Sequence, residues 1–129
     1  MASQRGRILV VDDDAVITAS LEKILRNDGF DVATATDGVE AIEMARTTPF
    51  DCVLLDLVMP RMDGLTTLHH LTTVAPAARV VILSAHLGRN WEAEALRIGA
   101  AAVMPKPPDI PKLLRLCADL SRRDVARSN

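Results

Sequence analysis

The chain has 129 residues, of which 49% are hydrophobic, and its formal net charge is −2. Such a length and composition predict one folded domain with its own core and exclude a disordered chain. The charge argues against direct nucleic-acid binding, which usually needs a basic surface. No apolar run is long enough to cross a bilayer and no apolar signal core is present at the start. We therefore expect a cytoplasmic protein without membrane insertion.

Short apolar runs and helical patterns alternate along the chain, beginning with a strand predicted at Arg7–Val11. Asp14 has the residue type of a helix N-cap, and the apolar spacing after it predicts the first helix. Asn27-Asp28-Gly29 predicts the end of that helix, because glycine suits the left-handed position after a helix. A second strand is predicted at Asp31–Ala35.

The middle of the chain repeats this order. Asp37 and Glu40 have the spacing of a capping box and predict the start of a second helix. A third strand is predicted at Asp51–Leu55, where four apolar residues in a row indicate burial on both faces. A loop at residues 57–64 follows, and Asp63 within it is interpreted as the N-cap of the third helix.

The last third of the chain continues the alternation. A fourth strand is predicted at Arg79–Leu83 and a fourth helix at Arg89–Ile98, ended by Gly99. A fifth strand is predicted at Ala101–Met104, and Asp109 is interpreted as the cap of the last helix.

Strict alternation of strand and helix predicts a parallel sheet, because each crossover helix returns the chain to the same edge. Five such units favour the flavodoxin-like, doubly wound α/β fold with strand order 2-1-3-4-5 and five helices, whose crevice opens beyond the ends of strands 1 and 3. We expect a single domain over residues 1–129, with its core at about 6–121 and a C-terminal tail at 122–129.

Polar side chains follow four of the predicted strands, at the edge where the crevice should open. Asp12 and Asp13 follow strand 1, Asp56 follows strand 3, Ser84 follows strand 4 and Lys106 comes soon after strand 5. Crowded carboxylates repel one another, and a hard divalent cation such as Mg²⁺ relieves that repulsion. A lysine and a hydroxyl can bind phosphoryl oxygens, and a carboxylate can act as a nucleophile. The pattern indicates a magnesium and phosphoryl site.

Over about residues 6–121 the sequence resembles the receiver domain of two-component response regulators. The matching stretches, in chain order, are Ile8-Leu9-Val10-Val11-Asp12-Asp13, Leu55-Asp56-Leu57-Val58-Met59-Pro60, Met62-Asp63-Gly64, Leu83-Ser84-Ala85 and Lys106-Pro107. Each stretch is a weak signal by itself, but together, in this order and spacing, they are highly specific.

The resemblance implies a bacterial phosphorelay protein in which Asp56 is the phosphoacceptor. The donor would be a histidine kinase or a phosphotransfer protein, and Ser84 and Lys106 would bind the phosphoryl group. Phosphorylation would then shift the face formed by helix 4, strand 5 and helix 5, which would contact a downstream protein target or effector domain. Such a domain is not an enzyme beyond phosphorylating itself from a donor and removing its own phosphoryl group.

The resemblance also implies how Mg²⁺ would be held. Asp13, Asp56 and the backbone carbonyl of Val58 would ligate the ion directly, and Asp12 would act partly through water.

The chain departs from the family pattern at several positions near the site. Val103 stands where the family usually has an aromatic residue that changes rotamer, and two prolines, Pro107 and Pro108, follow Lys106. Val58 and His86 occupy flanking positions that the family uses to set how fast water removes the phosphoryl group. We expect a phosphoryl lifetime that depends on both side chains.

Two alternatives remain open on the sequence. A phosphatase of the haloacid dehalogenase kind would use Asp12 as nucleophile and Asp14 as acid and base, since Asp12-Asp13-Asp14 follows an apolar strand. The other alternative keeps the receiver fold but makes it a phosphorylation-independent binding module.

Other reactive side chains have simpler interpretations. Cys52 and Cys117 are expected to be buried thiols, because their spacing fits neither a disulfide framework nor a metal site. His69 and His70 are expected on the surface of the third helix. Trp91 would either pack inward or stand exposed as an anchor for a partner.

Overall fold

The computed structural model describes residues 5–59, 62–85 and 90–121. Strands and helices alternate along the described chain in the following order: β1 (Arg7–Val11), α1 (Ala15–Asn27), β2 (Asp31–Ala35), α2 (Gly38–Thr47), β3 (Cys52–Asp56), α3 (Gly64–Val74), β4 (Arg79–Ser84), α4 (Asn90–Ile98), β5 (Ala102–Pro105) and α5 (Ile110–Ser121).

The five strands form one parallel sheet in the order β2-β1-β3-β4-β5, which confirms the predicted topology. In register, Val11 at the end of β1 lies between Ala35 of β2 and Leu55 of β3. The residues that follow these strands therefore share one edge of the sheet. In a doubly wound sheet that edge holds the ligand crevice.

Three strands end one residue later than predicted. Asp56 pairs with Leu83 and Ser84 pairs with Pro105, so the ladder extends through both polar residues, and β5 runs from Ala102 to Pro105. The prediction placed Asp56 and Ser84 just past their strands because both residues are polar. Polarity is a poor guide to the end of a strand when the neighbouring strand offers a ladder partner. Both residues are thus held by sheet hydrogen bonding and not by a loop.

The core has two layers, one on each face of the sheet. Successive residues of β1 alternate between them: Leu9 and Val11 pack toward α2, α3 and α4, whereas Ile8 and Val10 pack toward α1 and α5. All four side chains are at most 1% exposed. Full burial of a side chain of this size contributes roughly 1.5–3 kcal/mol, so the layers fix the sheet and with it the edge that carries the polar residues.

The two cysteines lie in the α1/α5 layer as free, fully buried thiols, as predicted. Interaction with the side chain of Cys117 and burial raise the pKa of Cys52 well above its ordinary value, so the thiol form is favoured.

The helix ends follow the predicted capping pattern. Asp14, Asp37 and Asp63 are the N-caps of α1, α2 and α3, and each side chain accepts a hydrogen bond from a backbone N–H of the first turn. Glu40 reaches back to the backbone N–H of Thr36 at 2.8 Å, one residue before the cap.

The end of α1 is a Schellman turn. Gly29 has φ +96° and its N–H donates to the carbonyl of Arg26, while the N–H of Phe30 donates to that of Leu25. The left-handed conformation predicted at Gly29 is therefore present, and it turns the chain directly into β2.

On the surface, His69 and His70 are exposed as expected. Trp91 is 46% exposed, which agrees with the exposed alternative and not with inward packing. No helix within the described ranges is both long and apolar enough to span a membrane. The tail at 122–129 and His86 lie outside the described residues.

Candidate metal and phosphoryl site

The three predicted carboxylates come together at the edge of the sheet. One oxygen each from Asp12, Asp13 and Asp56 lies within 4.8 Å of the others. Asp12 and Asp56 are only 4% and 7% exposed, whereas Asp13 is exposed to solvent. The cluster is thus buried at Asp12 and Asp56 and open to solvent at Asp13.

Asp12 is oriented by two different partners. Its Oδ1 accepts a hydrogen bond of 2.9 Å from the backbone N–H of Asp14, and its Oδ2 accepts one of 2.7 Å from Nζ of Lys106. Its own backbone N–H donates to the carbonyl of Ala35 at 3.2 Å. The two hydrogen bonds therefore fix the orientation of the Asp12 carboxylate.

Lys106 lies between two carboxylates. Its Nζ is 2.7 Å from Asp12 Oδ2 and 3.3 Å from Asp56 Oδ1, and its side chain is 16% exposed. Its backbone N–H donates to the carbonyl of Ser84 at 2.9 Å, which ties it to the end of β4. The ammonium is thus positioned by both the sheet edge and the acidic cluster.

The electrostatics of the site show incomplete charge compensation. Burial and the nearby charge of Asp12 raise the pKa of Asp56, although Lys106 opposes the shift. Burial tends to lower the pKa of Lys106, but its hydrogen bond to Asp12 and the charge of Asp56 outweigh burial, so that this pKa is raised. One ammonium does not neutralise the carboxylates around it.

The residues present fit a hard divalent cation. Three carboxylates and one ammonium leave a charge of −2 when all are ionised, and each aspartate offers a carboxylate oxygen as ligand atom. Oxygen donors select Mg²⁺ or Ca²⁺ over softer metals. The donor set is thus compatible with the predicted cofactor.

Two further predicted residues lie beside the cluster. Ser84 is 1% exposed and stands one residue beyond Leu83, the ladder partner of Asp56. The backbone N–H of Val58 lies 3.4 Å from Asp56 Oδ1, and the residue is 56% exposed. The structure brings all the predicted site residues to one edge.

Sequence reasoning missed one contact of the site. Asp14 was interpreted as a helix cap, and the structure confirms that its carboxylate accepts from the N–H groups of Val16 and Ile17. Its own backbone N–H, however, bonds to Asp12. No residue pattern reports a backbone donor, so only the turn geometry after β1 reveals it.

An open apolar groove of about 520 Å³ adjoins the site between α1 and the segment that joins β5 to α5. Lys106 belongs both to this groove and to the acidic cluster. The lining residues are Val16, Ile17, Ser20, Leu21, Ile24, Leu83, Ala85, Lys106, Pro107, Pro108 and Ile110. A surface that contacts the groove would therefore lie next to Asp56.

Comparison with known proteins gives one consistent result. Residues 8–118 match the family described as the response regulator receiver domain. A response regulator receiver protein of Anaeromyxobacter sp. (strain Fw109-5) is 41% identical over 110 residues, which are 85% of this chain and 46% of that protein.

Two solved structures resemble this chain closely. One is a CheX-CheY-BeF₃-Mg complex from Borrelia burgdorferi, at 35% identity and TM-score 0.79, with 84% of each chain covered. The other is a response regulator from Burkholderia pseudomallei with a phosphorylated aspartic acid, calcium ion and citrate, at 27% identity and TM-score 0.80, covering 84% of this chain and 64% of that one.

The chain spans about half or less of the length of the curated relatives it matches. The family match, by contrast, begins within β1 and ends within α5, and it includes every residue of the acidic cluster. This chain belongs to the response regulator receiver domain family.

Proposed function

We propose that Asp56 accepts a phosphoryl group from a histidine kinase or a phosphotransfer protein in a reaction that depends on Mg²⁺. The observation that carries the proposal is the position of its carboxylate, which is nearly buried, lies 3.3 Å from Nζ of Lys106 and shares a cluster with Asp12 and Asp13. A phosphorylated aspartic acid with a metal ion in the Burkholderia relative supports it.

In the proposed transfer, a carboxylate oxygen of Asp56 attacks the phosphorus of a phosphohistidine. The P–N bond breaks, and the imidazole leaves with the electron pair and then takes up a proton. Lys106 and Ser84 bind the phosphoryl oxygens, because both stand at the edge beside Asp56. Positioning and charge stabilisation supply most of what phosphoryl transfer requires.

Asp12, Asp13, Asp56 and the backbone carbonyl of Val58 would hold the Mg²⁺ ion. When bound, the ion neutralises charge on the carboxylates and on the incoming phosphoryl oxygens. A calcium ion in the Burkholderia relative and magnesium in the Borrelia complex support a divalent cation for this family.

The phosphoryl donor would contact the apolar groove beside α1. The groove shares Lys106 with the acidic cluster, and Val16 at its rim is 74% exposed. A protein that delivers a phosphoryl group to Asp56 must approach this edge, so apolar contacts here would position it. The groove thus supports a protein donor.

Phosphorylation would alter contacts at the face of α4, β5 and α5, and so regulate a downstream protein or effector domain. Ser84 ends β4 and accepts, through its carbonyl, the N–H of Lys106 after β5. A phosphoryl group bound by both residues would pull on the two strand ends together. Val103 is half-buried on β5, so the change would pass through backbone and helix movement, not through an aromatic rotamer.

The test is intact-mass spectrometry after incubation with Mg²⁺ and acetyl phosphate. We expect one added phosphoryl group on the wild type and none on Asp56→Asn, with Asp63→Asn as a matched control that keeps the adduct. The control is suitable because Asp63 is an aspartate outside the cluster, and asparagine preserves its cap on α3.

Absence of an adduct on the wild type would contradict the proposal if beryllofluoride also fails to bind. That pair of results would favour the phosphorylation-independent binding module. Steady turnover of p-nitrophenyl phosphate would instead favour the phosphatase alternative, which needs Asp14 as acid and base although its carboxylate caps α1.

A further inference from the structure

We propose that Asp14 is a positioning residue for the metal ligand Asp12 and that it acts through its backbone amide. The inference rests on the proposed function, because it concerns the same acidic cluster. It assigns to Asp14 a role that differs from both helix capping alone and acid–base chemistry.

Asp12 is held by one rigid donor and one flexible donor. Its two carboxylate oxygens have one observed donor each, the amide of Asp14 on Oδ1 and the ammonium of Lys106 on Oδ2. Lys106 is long and rotatable, whereas the amide of Asp14 is part of the backbone that begins α1. The amide is therefore the rigid partner that sets the plane of the Asp12 carboxylate.

The conformation of Asp14 and the hydrogen bonds of its side chain and carbonyl set the direction of its amide. Asp14 has φ −89° and ψ 109°, and its carboxylate accepts from the N–H groups of Val16 at 2.9 Å and Ile17 at 3.3 Å. Its carbonyl accepts from the N–H of Thr18 at 3.0 Å. These bonds fix the turn between β1 and α1, and with it the direction of the Asp14 N–H.

The Asp14 carboxylate itself lies outside the acidic cluster of Asp12, Asp13 and Asp56. It is exposed and engaged at the helix end, and the carboxylates that approach within 4.8 Å of one another are those of Asp12, Asp13 and Asp56. Asp14 therefore orders the cluster without being a ligand in it. Partners that orient a metal ligand from outside the coordination sphere commonly affect metal affinity by about 10- to 100-fold.

The test compares three variants. Asp14→Asn keeps an acceptor oxygen for the cap and removes the charge, whereas Asp14→Ala removes the cap. Asp37→Ala removes the corresponding cap from α2, where the carboxylate accepts from the N–H of Glu40 at 2.8 Å, and serves as the matched control. Thermal unfolding of all three gives the stability loss that must be compared.

Two readouts are measured at a temperature where every variant is folded. One is hydrogen-exchange protection of the residue-14 amide in metal-free protein, and the other is the Kd for Mg²⁺ by calorimetry. For Asp14→Ala we expect lost amide protection and about 10-fold weaker Mg²⁺ binding. Asp14→Asn should keep protection and stay within about threefold of the wild-type Kd, and Asp37→Ala should match the wild type in both readouts.

The inference is overturned if Asp14→Ala retains amide protection and Mg²⁺ affinity, or if Asp14→Asn loses as much affinity as Asp14→Ala. An equal loss in Asp37→Ala would also overturn it, because helix capping in general would then explain the effect. A wild type that binds no Mg²⁺ would instead refute the proposed function, and the amide exchange would still decide whether Asp14 holds Asp12.

Discussion

Nζ of Lys106 is closer to Asp12, at 2.7 Å, than to Asp56, at 3.3 Å. The lysine proposed to bind a phosphoryl group on Asp56 is thus held mainly by Asp12, a proposed metal ligand. A cation that engages Asp12 would compete with this bond and leave Lys106 free to turn toward Asp56. We therefore expect metal binding and phosphoryl binding to be interdependent.

Replacement of Lys106 should therefore cost stability mainly in the absence of metal. In EDTA, Lys106→Met leaves Asp12 and Asp56 close together without their shared donor, and we expect a loss of about 2 kcal/mol in the free energy of unfolding. Urea unfolding with and without Mg²⁺ measures the effect. A loss that is as large with Mg²⁺ as without it would show that the lysine does not act as a counterion in the cluster.

The raised pKa of Asp56 predicts a pH dependence of stability in metal-free protein. Because the folded state holds the proton more tightly than the unfolded state, this contribution is present below the ordinary pKa of about 3.8 and is lost as pH rises through the raised value. Asp56→Asn removes the titration, so the variant should gain stability relative to the wild type as pH rises toward neutrality.

Denaturant unfolding of wild type and Asp56→Asn in EDTA, from about pH 4 to about pH 7, measures whether the variant gains stability relative to the wild type as pH rises. Asp63→Asn is the control, because Asp63 lies outside the acidic cluster. A stability difference between wild type and Asp56→Asn that stays constant with pH would contradict the raised pKa.

If the groove positions a protein donor, a change at its rim should affect the phosphotransfer rate from a protein donor and not the rate from a small-molecule donor. Val16→Asp places a charge at the apolar rim, where the side chain is 74% exposed. We expect phosphotransfer from a cognate kinase or phosphotransfer protein to slow by at least about tenfold, since a desolvated charge costs more than 1.4 kcal/mol. The rate with acetyl phosphate should stay near wild type, because Asp56 itself is unchanged.

Equal slowing with both donors would show that Val16→Asp disturbs the acidic cluster and not a docking surface. Val39→Asp is a useful control, since Val39 is also exposed on the first turn of a helix, α2, but does not line the groove.

The lifetime of the phosphoryl group should depend on Val58. Its N–H lies 3.4 Å from Asp56 Oδ1, and the residue is exposed to solvent. Val58→Asn replaces an apolar group with one that can orient water, so we expect faster loss of the phosphoryl mass with time. The same experiment with His86→Glu tests the other flanking position, and unchanged rates in both variants would refute the prediction.

The sheet topology and most element ends could be predicted because their causes are local. Alternating apolar runs fix the parallel sheet, and Asp14, Asp63 and Gly29 have side chains or φ angles that suit helix ends. The predicted ends of the strands were less accurate. Asp56 and Ser84 join the ladder because neighbouring strands offer partners, which a single strand's sequence does not show.

Within the site, residue types could be predicted but pairings could not. Strand order places Asp12 and Lys106 at one edge, yet which oxygen Lys106 prefers depends on side-chain packing after folding. The bond from the Asp14 amide and the effect of Cys117 on the pKa of Cys52 likewise depend on three-dimensional proximity. The partial exposure of Trp91 follows from how α4 is rotated, which its short sequence pattern left undecided.

The ion pair between Asp12 and Lys106 joins positions 94 residues apart in the sequence. During synthesis from the N-terminus, β1 and β3 are made well before β5 and the Lys106 that follows it. A growing chain therefore contains the acceptor aspartate long before it contains the cation that completes its surroundings. Under the proposed function, we therefore expect a chain to become able to receive a phosphoryl group only after β5 has docked and placed Lys106 beside Asp12 and Asp56.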